Sequence, residues 1–197
     1  RFGRYMKQSM HTHRDEMFIA TKAGHPMWPG PYGDWGSRKS LVASLDQSLR
    51  RMNLEYVDVY YSHRYDPNTP LEETMQALVD IVRSGKALYV GLSKYPEEAA
   101  RKAYAYLEEN HVHCILYQGR YNMLPRQPEE VIIPQAHKNG TGFIAFSPLA
   151  QGLLTDRYLQ GVPDGSRMST SQFLRPEALT DELVIKLRAL NEVASLR

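Results

Sequence analysis

Cysteine is almost absent from this chain. Cys114 is the only one, so an internal disulfide framework is excluded and a reducing, cytoplasmic setting is expected. An excess of one charge is also lacking. The formal net charge is +2 with the signs interspersed, which provides no polybasic face for nucleic acid or a membrane surface. No apolar run reaches the roughly eighteen residues that a membrane-crossing helix needs, and no secretory leader is visible. The dinucleotide fingerprint G-x-G-x-x-G does not occur.

What is present is alternation. Residues 1–9 read as the tail of a helix. Glu16 to Gly24, "EMFIATKAG", is a short apolar run stopped by glycine and reads as a buried strand. A loop dense in Gly, Pro and Trp follows, and Ser37 is placed to cap a helix carrying Leu41, Leu45, Leu49 and Met52 at helical spacing. Tyr56–His63 is the next strand, and a helix runs from near Pro70 to Gly85. "ALYVGLS", "CILYQGRYN" and "TGFIAFSPL" are further strands. "PEEAARKAYAYLEEN" and "PEEVIIPQAHKNG" are the helices between them, the second with Pro134 inside it. A glycine-rich loop then leads to a last helix, "TDELVIKLRALNEVASL".

Strands alternating with helices imply a mostly parallel sheet wrapped by helices. An open, doubly wound sheet and a closed (β/α)8 barrel both fit. The barrel is favoured because polar residues gather at the C-terminal end of strand after strand: Lys22, His63, Ser93, Gln118 and Ser147. That is the face on which barrels build active sites. A barrel needs about 250 residues. The chain opens without an initiator methionine and closes inside a helical pattern. The expectation is therefore one α/β domain over residues 1–197, a partial TIM barrel incomplete at both ends.

Each candidate residue has a plain reading beside a chemical one. Lys22 is either a rim lysine with its stem packed on apolar surface or a buried ammonium that shifts a neighbouring acid. His63 is either a satisfied loop histidine or a donor to a substrate carbonyl. Arg64 and Asp66 read as a salt link supporting the turn that carries His63. Ser93 and Gln118 are structural, or together present a hydroxyl and a primary amide that match an amide ligand. The loop Phe146–Thr155 is an ordinary connection or a phosphate cradle of backbone N–H groups. His11 with His13, and His111 with His113, lack convincing zinc spacing, and no metal is expected.

Taken together, "TKAG", "GSRKSLVASLDQSLRRMNLEYVDVYYSHRYDPNTPLEET", "GKALYVGLS" and "AFSPLAQGLLT" resemble the aldo-keto reductases over essentially the whole chain. Within that family "MWPGPYG" followed by "GSRK" is most similar to the bacterial L-glyceraldehyde 3-phosphate reductase group. "SRK", "LEYVDV" and "DPNTP" are shared with the potassium-channel β subunits. The resemblance implies a (β/α)8 barrel that reduces aldehydes or ketones with NADPH, on substrates such as L-glyceraldehyde 3-phosphate or methylglyoxal. It implies Lys22 and His63 as catalytic, where the channel subunits typically carry asparagine at the His63 position. Ser93 and Gln118 match residues that hold the nicotinamide carboxamide. Phe146, Ser147, Pro148, Leu149, Ala150 and Gln151 match the loop along the pyrophosphate, and Arg157, Ser166 and Arg167 match cofactor contacts further on. Lys94 stands where many relatives have asparagine. The family's proton donor, a tyrosine partnered by aspartate, falls upstream of Arg1, as does about the first pair of barrel strands. The last strand and the reader of the adenosine 2′-phosphate fall downstream. Tyr5 is not that tyrosine, because its surroundings resemble the following helix. These residues alone are thus expected to turn over poorly. A small-molecule carbonyl is the implied partner, with a homo-oligomer compatible. The alternatives are a cofactor-binding regulatory subunit and an inactive truncated reductase.

Overall fold

The computed structural model describes residues 1–196. Its elements are α1 (Phe2–Tyr5), β1 (Ala20–Ala23), α2 (Arg38–Met52), β2 (Val57–Ser62), α3 (Leu71–Arg83), β3 (Ala87–Ser93), α4 (Glu97–Glu109), β4 (Cys114–Arg120), α5 (Ile132–Lys138), β5 (Gly142–Phe146), α6 (Arg167–Thr170) and α7 (Asp181–Ser195). The strands form one sheet in the order β1-β2-β3-β4-β5, and the pairings from β1 through β4 are parallel. A doubly wound sheet reverses its strand order at a switch point. This order never reverses, so the sheet is that of a partial (β/α)8 barrel.

Two compact units divide the chain. The first holds Arg1–Gly119 and Glu129–Ile144; the second holds Arg120–Pro128 and the residues from Ala145 onward.

In the first unit the helices start and stop where local chemistry dictates. The Ser37 hydroxyl accepts from the Ser40 N–H at 3.3 Å, and α2 ends on Asn53 in the left-handed conformation. Glu72 and Glu73 lie in the first turn of α3 and Arg83 in its last, each matched to the helix dipole. Leu41, Leu45, Met75, Leu78 and Leu107 pack against Tyr60, Val90 and Leu92 of the sheet, all fully or almost fully buried. All of β2 is buried, which explains its apolar composition. Its Tyr60 hydroxyl donates to the Leu41 carbonyl at 2.7 Å, so the one polar atom of that ring has a partner.

Local expectations are adjusted in two places. β1 is shorter than the apolar run because the Ile19 N–H is taken by the Asp58 carboxylate at 2.7 Å, while Glu16 ends a 3-10 segment. The helix expected over "PEEVIIPQAHKNG" is split into a 3-10 turn, Gln127–Glu129, and α5. Pro134 therefore falls in the first turn of α5, where a missing N–H loses no helical bond.

The second unit has a small core of Ala150, Leu153, Tyr158, Met168 and Leu174. What reads as a glycine-rich loop contains short helical turns at Ala150–Gly152, Asp156–Tyr158, α6 and Pro176–Ala178. Such turns are too short to leave a periodic signal. Thr180 caps α7 by accepting from the Leu183 N–H at 3.2 Å.

Candidate active site

In the first unit, strand register decides which side chains meet. Lys22 pairs with Tyr61, Tyr61 with Gly91, and Gly91 with Leu116. One level higher, the His63 N–H donates to the Ala23 carbonyl at 2.8 Å and Ser93 pairs with Gln118. The two-residue pleat places His63, Ser93 and Gln118 on the face that carries Tyr61, Gly91 and Leu116. Lys22, His63, Ser93 and Gln118 thus share the C-terminal end of one sheet face, although they lie far apart in the chain.

The Lys22 ammonium sits 4.8 Å from the centre of the Tyr61 ring, a cation–π contact. It has no carboxylate partner among the described residues, and burial lowers its pKa from the ordinary lysine value. The Tyr61 ring lies across Gly91. A Cβ at that position would come within 2.4 Å of the ring, so only glycine lets this platform form. Burial pushes the Tyr61 hydroxyl up to about 12. That direction is wrong for a proton donor near neutrality, which leaves Tyr61 as a platform.

His63 is held down to about 4, first by burial and then by His25, Lys94, Lys22 and Arg64. It is therefore a neutral imidazole with one N–H to donate at physiological pH. The Ser93 hydroxyl is buried and without a hydrogen-bond partner. The Gln118 side chain is half-buried and makes no hydrogen bond among the described residues. An unpaired buried hydroxyl costs free energy unless a ligand or water completes its bonding.

Arg64 and Asp66 do not form the local salt link the sequence suggests. Arg64 donates to Asp34 at 2.8 Å and to the Gly24 carbonyl, and its guanidinium lies 3.5 Å from the centre of a Trp35 ring. Asp66 accepts from the Gly36 N–H at 3.0 Å, the Asn68 N–H at 2.9 Å and the Thr69 hydroxyl at 2.7 Å. Burial alone would raise its pKa, but these hydrogen bonds outweigh it and hold the carboxyl below its usual range. Both residues pin the 25–36 loop beside the strand ends.

In the second unit, the loop Phe146–Gln151 carries left-handed backbone at Ser147, Ala150 and Gln151, with φ of 56°, 47° and 61°. Non-glycine residues adopt that region rarely, and such strain collects at functional sites. Asn122, which sequence reasoning missed, donates its side-chain N–H to the Ser147 carbonyl at 2.8 Å and steadies the loop. Pro148 and Leu149 are exposed, Ala150 is buried, and Phe146 is half-buried. Ser166 precedes α6 with its hydroxyl buried and unpartnered, while Arg157 and Arg167 are exposed.

Tyr61, Gly91 and His25 were also missed. Glycine inside a strand does signal a close approach, but what approaches depends on register. A singly wound parallel sheet with lysine, histidine, serine and glutamine at its strand ends defines a barrel protein with a strand-end site. The chain belongs to the aldo/keto reductase family, whose profile matches residues 1–197. It is 51% identical over 201 aligned residues to the L-glyceraldehyde 3-phosphate reductases of Escherichia coli O157:H7 and Escherichia coli strain K12. The match takes in 100% of this chain and 58% of each relative, so the chain spans little more than half of their length.

Proposed function

We propose that these residues form part of a reductase that converts an aldehyde or ketone to an alcohol using NADPH, within a single barrel domain. The substrate class is that of L-glyceraldehyde 3-phosphate or methylglyoxal. The observation that carries the reading is the placement of Lys22, neutral His63, unpartnered Ser93 and Gln118 on one end of one sheet face.

The site residues fit a nicotinamide. A buried hydroxyl without a partner and a primary amide offer the donor and acceptor that a carboxamide requires. Phe146, Ser147, Pro148, Leu149, Ala150 and Gln151, with Arg157, Ser166 and Arg167, are assigned to the rest of the cofactor. When bound, that cofactor supplies the hydride.

The protein's own part is position and charge. His63 donates its N–H to the substrate carbonyl oxygen and stabilises the negative charge that develops there. Lys22, unpaired by any carboxylate here, places a positive charge beside the oxygen and favours ionisation of a neighbouring acid. Tyr61 holds that ammonium from below. The proton donor is assigned to the tyrosine that the family likeness implies, outside these residues. Tyr61 is unsuited because its pKa moves the wrong way.

The deciding experiment follows NADPH absorbance in the full-length protein with short aldehydes. Steady oxidation is expected. Binding of NADPH without turnover would replace this reading with that of a cofactor-sensing regulatory subunit.

A further inference from the structure

A donor imidazole is ordinarily held in orientation by a hydrogen bond on its second ring nitrogen. The His63 backbone N–H donates to the Ala23 carbonyl at 2.8 Å, yet its ring makes no hydrogen bond among the described residues. What the ring meets instead is His25. The two ring centroids are 4.4 Å apart at 83°, an edge-on contact. His25 is exposed and His63 half-buried, so His25 is the outer ring of the pair.

The backbone places His25 there and fixes it. Gly24 has φ +128°, which side-chain-bearing residues rarely adopt, and it turns the chain directly after β1. A Cβ at Gly24 would meet the His63 Cβ at 3.4 Å, so the two strand ends are in contact at this point. Two consecutive residues then bond two consecutive carbonyls. The His63 N–H donates to Ala23, and the Arg64 Nε donates to Gly24. Arg64 also donates to Asp34 at 2.8 Å and lies 3.5 Å from the centre of a Trp35 ring. The residue next to His63 thus grips both ends of the 25–36 loop. His25, the first residue of that loop, is held in step with His63.

We propose that His25 is a positioning residue for the reduction: its ring braces the His63 imidazole from the solvent side, fixing the angle at which His63 presents its N–H to the carbonyl oxygen and shielding that ring from water. This rests on the reductase reading and adds a residue to it. His25 transfers no proton in this role and acts only through His63. The electrostatics agree. After burial, His25 is the largest influence lowering His63, ahead of Lys94, Lys22 and Arg64. Burial also lowers His25 itself, with Arg64 and Lys94 acting in the same direction and Asp34 against them. Two imidazolium rings at this separation repel, so the contact favours neutral rings.

The test follows NADPH oxidation by a short aldehyde in the full-length protein. His25→Ala removes the brace, and His25→Phe keeps a ring against His63. His25→Ala is expected to lower kcat and kcat/KM for the aldehyde together by about tenfold, the pattern of an interaction made in the transition state. The KM for NADPH should not change. His25→Phe should restore kcat to within about twofold of the parent. NMR gives a second readout. The His63 midpoint, near 4 in the parent, should rise in His25→Ala, where the ring gains water and loses the neighbouring imidazole. It should rise less in His25→Phe, where the cover is kept. Because His25 is exposed, both variants should melt with the parent. A parental kcat in His25→Ala overturns this inference and leaves the reductase reading intact, because NADPH is still oxidised. Equal losses in the two variants overturn it too, since a ring nitrogen rather than the ring contact would then be at work. Failure of the parent protein to oxidise NADPH overturns both readings.

Discussion

The two ends of the same sheet differ in how the polar groups carried by the strands themselves are partnered. At the N-terminal end, Asp58 accepts from Arg14 at 2.9 Å and from the Ile19 N–H at 2.7 Å. Arg14 also donates to the carbonyls of Met17 and Tyr56, and its guanidinium lies 3.9 Å from the centre of the Tyr56 ring. Only its Nε lacks a partner. At the C-terminal end, Lys22 has a ring but no carboxylate, and Ser93 has nothing. Polar groups with partners close the fold. A missing partner is a cost to the fold, but Ser44 on α2 lacks one too, so the proposed site rests on the gathering of Lys22, Ser93 and Gln118 at one sheet end and not on the missing bond alone.

That contrast can be broken most forcefully at Asp58. Asp58→Ala leaves Arg14 nearly buried and uncompensated, and the expected loss is about 3–5 kcal/mol in denaturant unfolding. Turnover per folded molecule should hardly change. A loss below about 1 kcal/mol would erase the structural role of that end.

The mirror experiment is Lys22→Met in the full-length protein. Turnover should fall by about a hundredfold or more, the scale of one acid–base group. The melting temperature should stay level or rise, because an unpaired, partly desolvated cation has been removed. Unchanged turnover would remove Lys22 from the chemistry.

Ser93→Ala sharpens the same point with a smaller effect. Deleting a buried hydroxyl without a partner should leave the unliganded protein equally stable or more stable by about 1 kcal/mol. NADPH binding, read by fluorescence quenching, should weaken about fivefold. A clear destabilisation would mean that the hydroxyl is already satisfied.

The smallest effect is the titration of His63. Its folded pKa of about 4 lies below the ordinary 6.5. As pH falls between those values the unfolded chain takes up a proton that the folded site refuses, so stability declines across that window and no further below about 4. The group is partly exposed, and solvent screening keeps the loss small. NMR should place the His63 midpoint near 4. A midpoint near 6.5 would show that neither burial nor the cationic rim acts on the ring.

Much of the fold is legible from local pattern. The alternating apolar runs locate the strands, and Ser37, Pro70 and Gly85 bracket helices because capping depends on a few adjacent residues. The positions of Lys22, His63, Ser93 and Gln118 are legible too, since each lies at or near the C-terminal end of a strand. The Tyr61 platform on Gly91 is not, because pairing register is set across the sheet. Arg64 shows the same limit. Its near neighbour Asp66 is the obvious partner in the sequence, yet the 25–36 loop brings Asp34 to it instead.

By itself, the sequence determined the element types, their alternation and the residues standing at the strand ends, because hydrophobic periodicity and capping are short-range properties. Only the tertiary structure decided the singly wound order, the partners of Arg14, Arg64 and Asp66, and the meeting of His25 with His63. Those depend on loop closure and register between segments remote along the chain, where contact is won by packing and charge compensation rather than by adjacency.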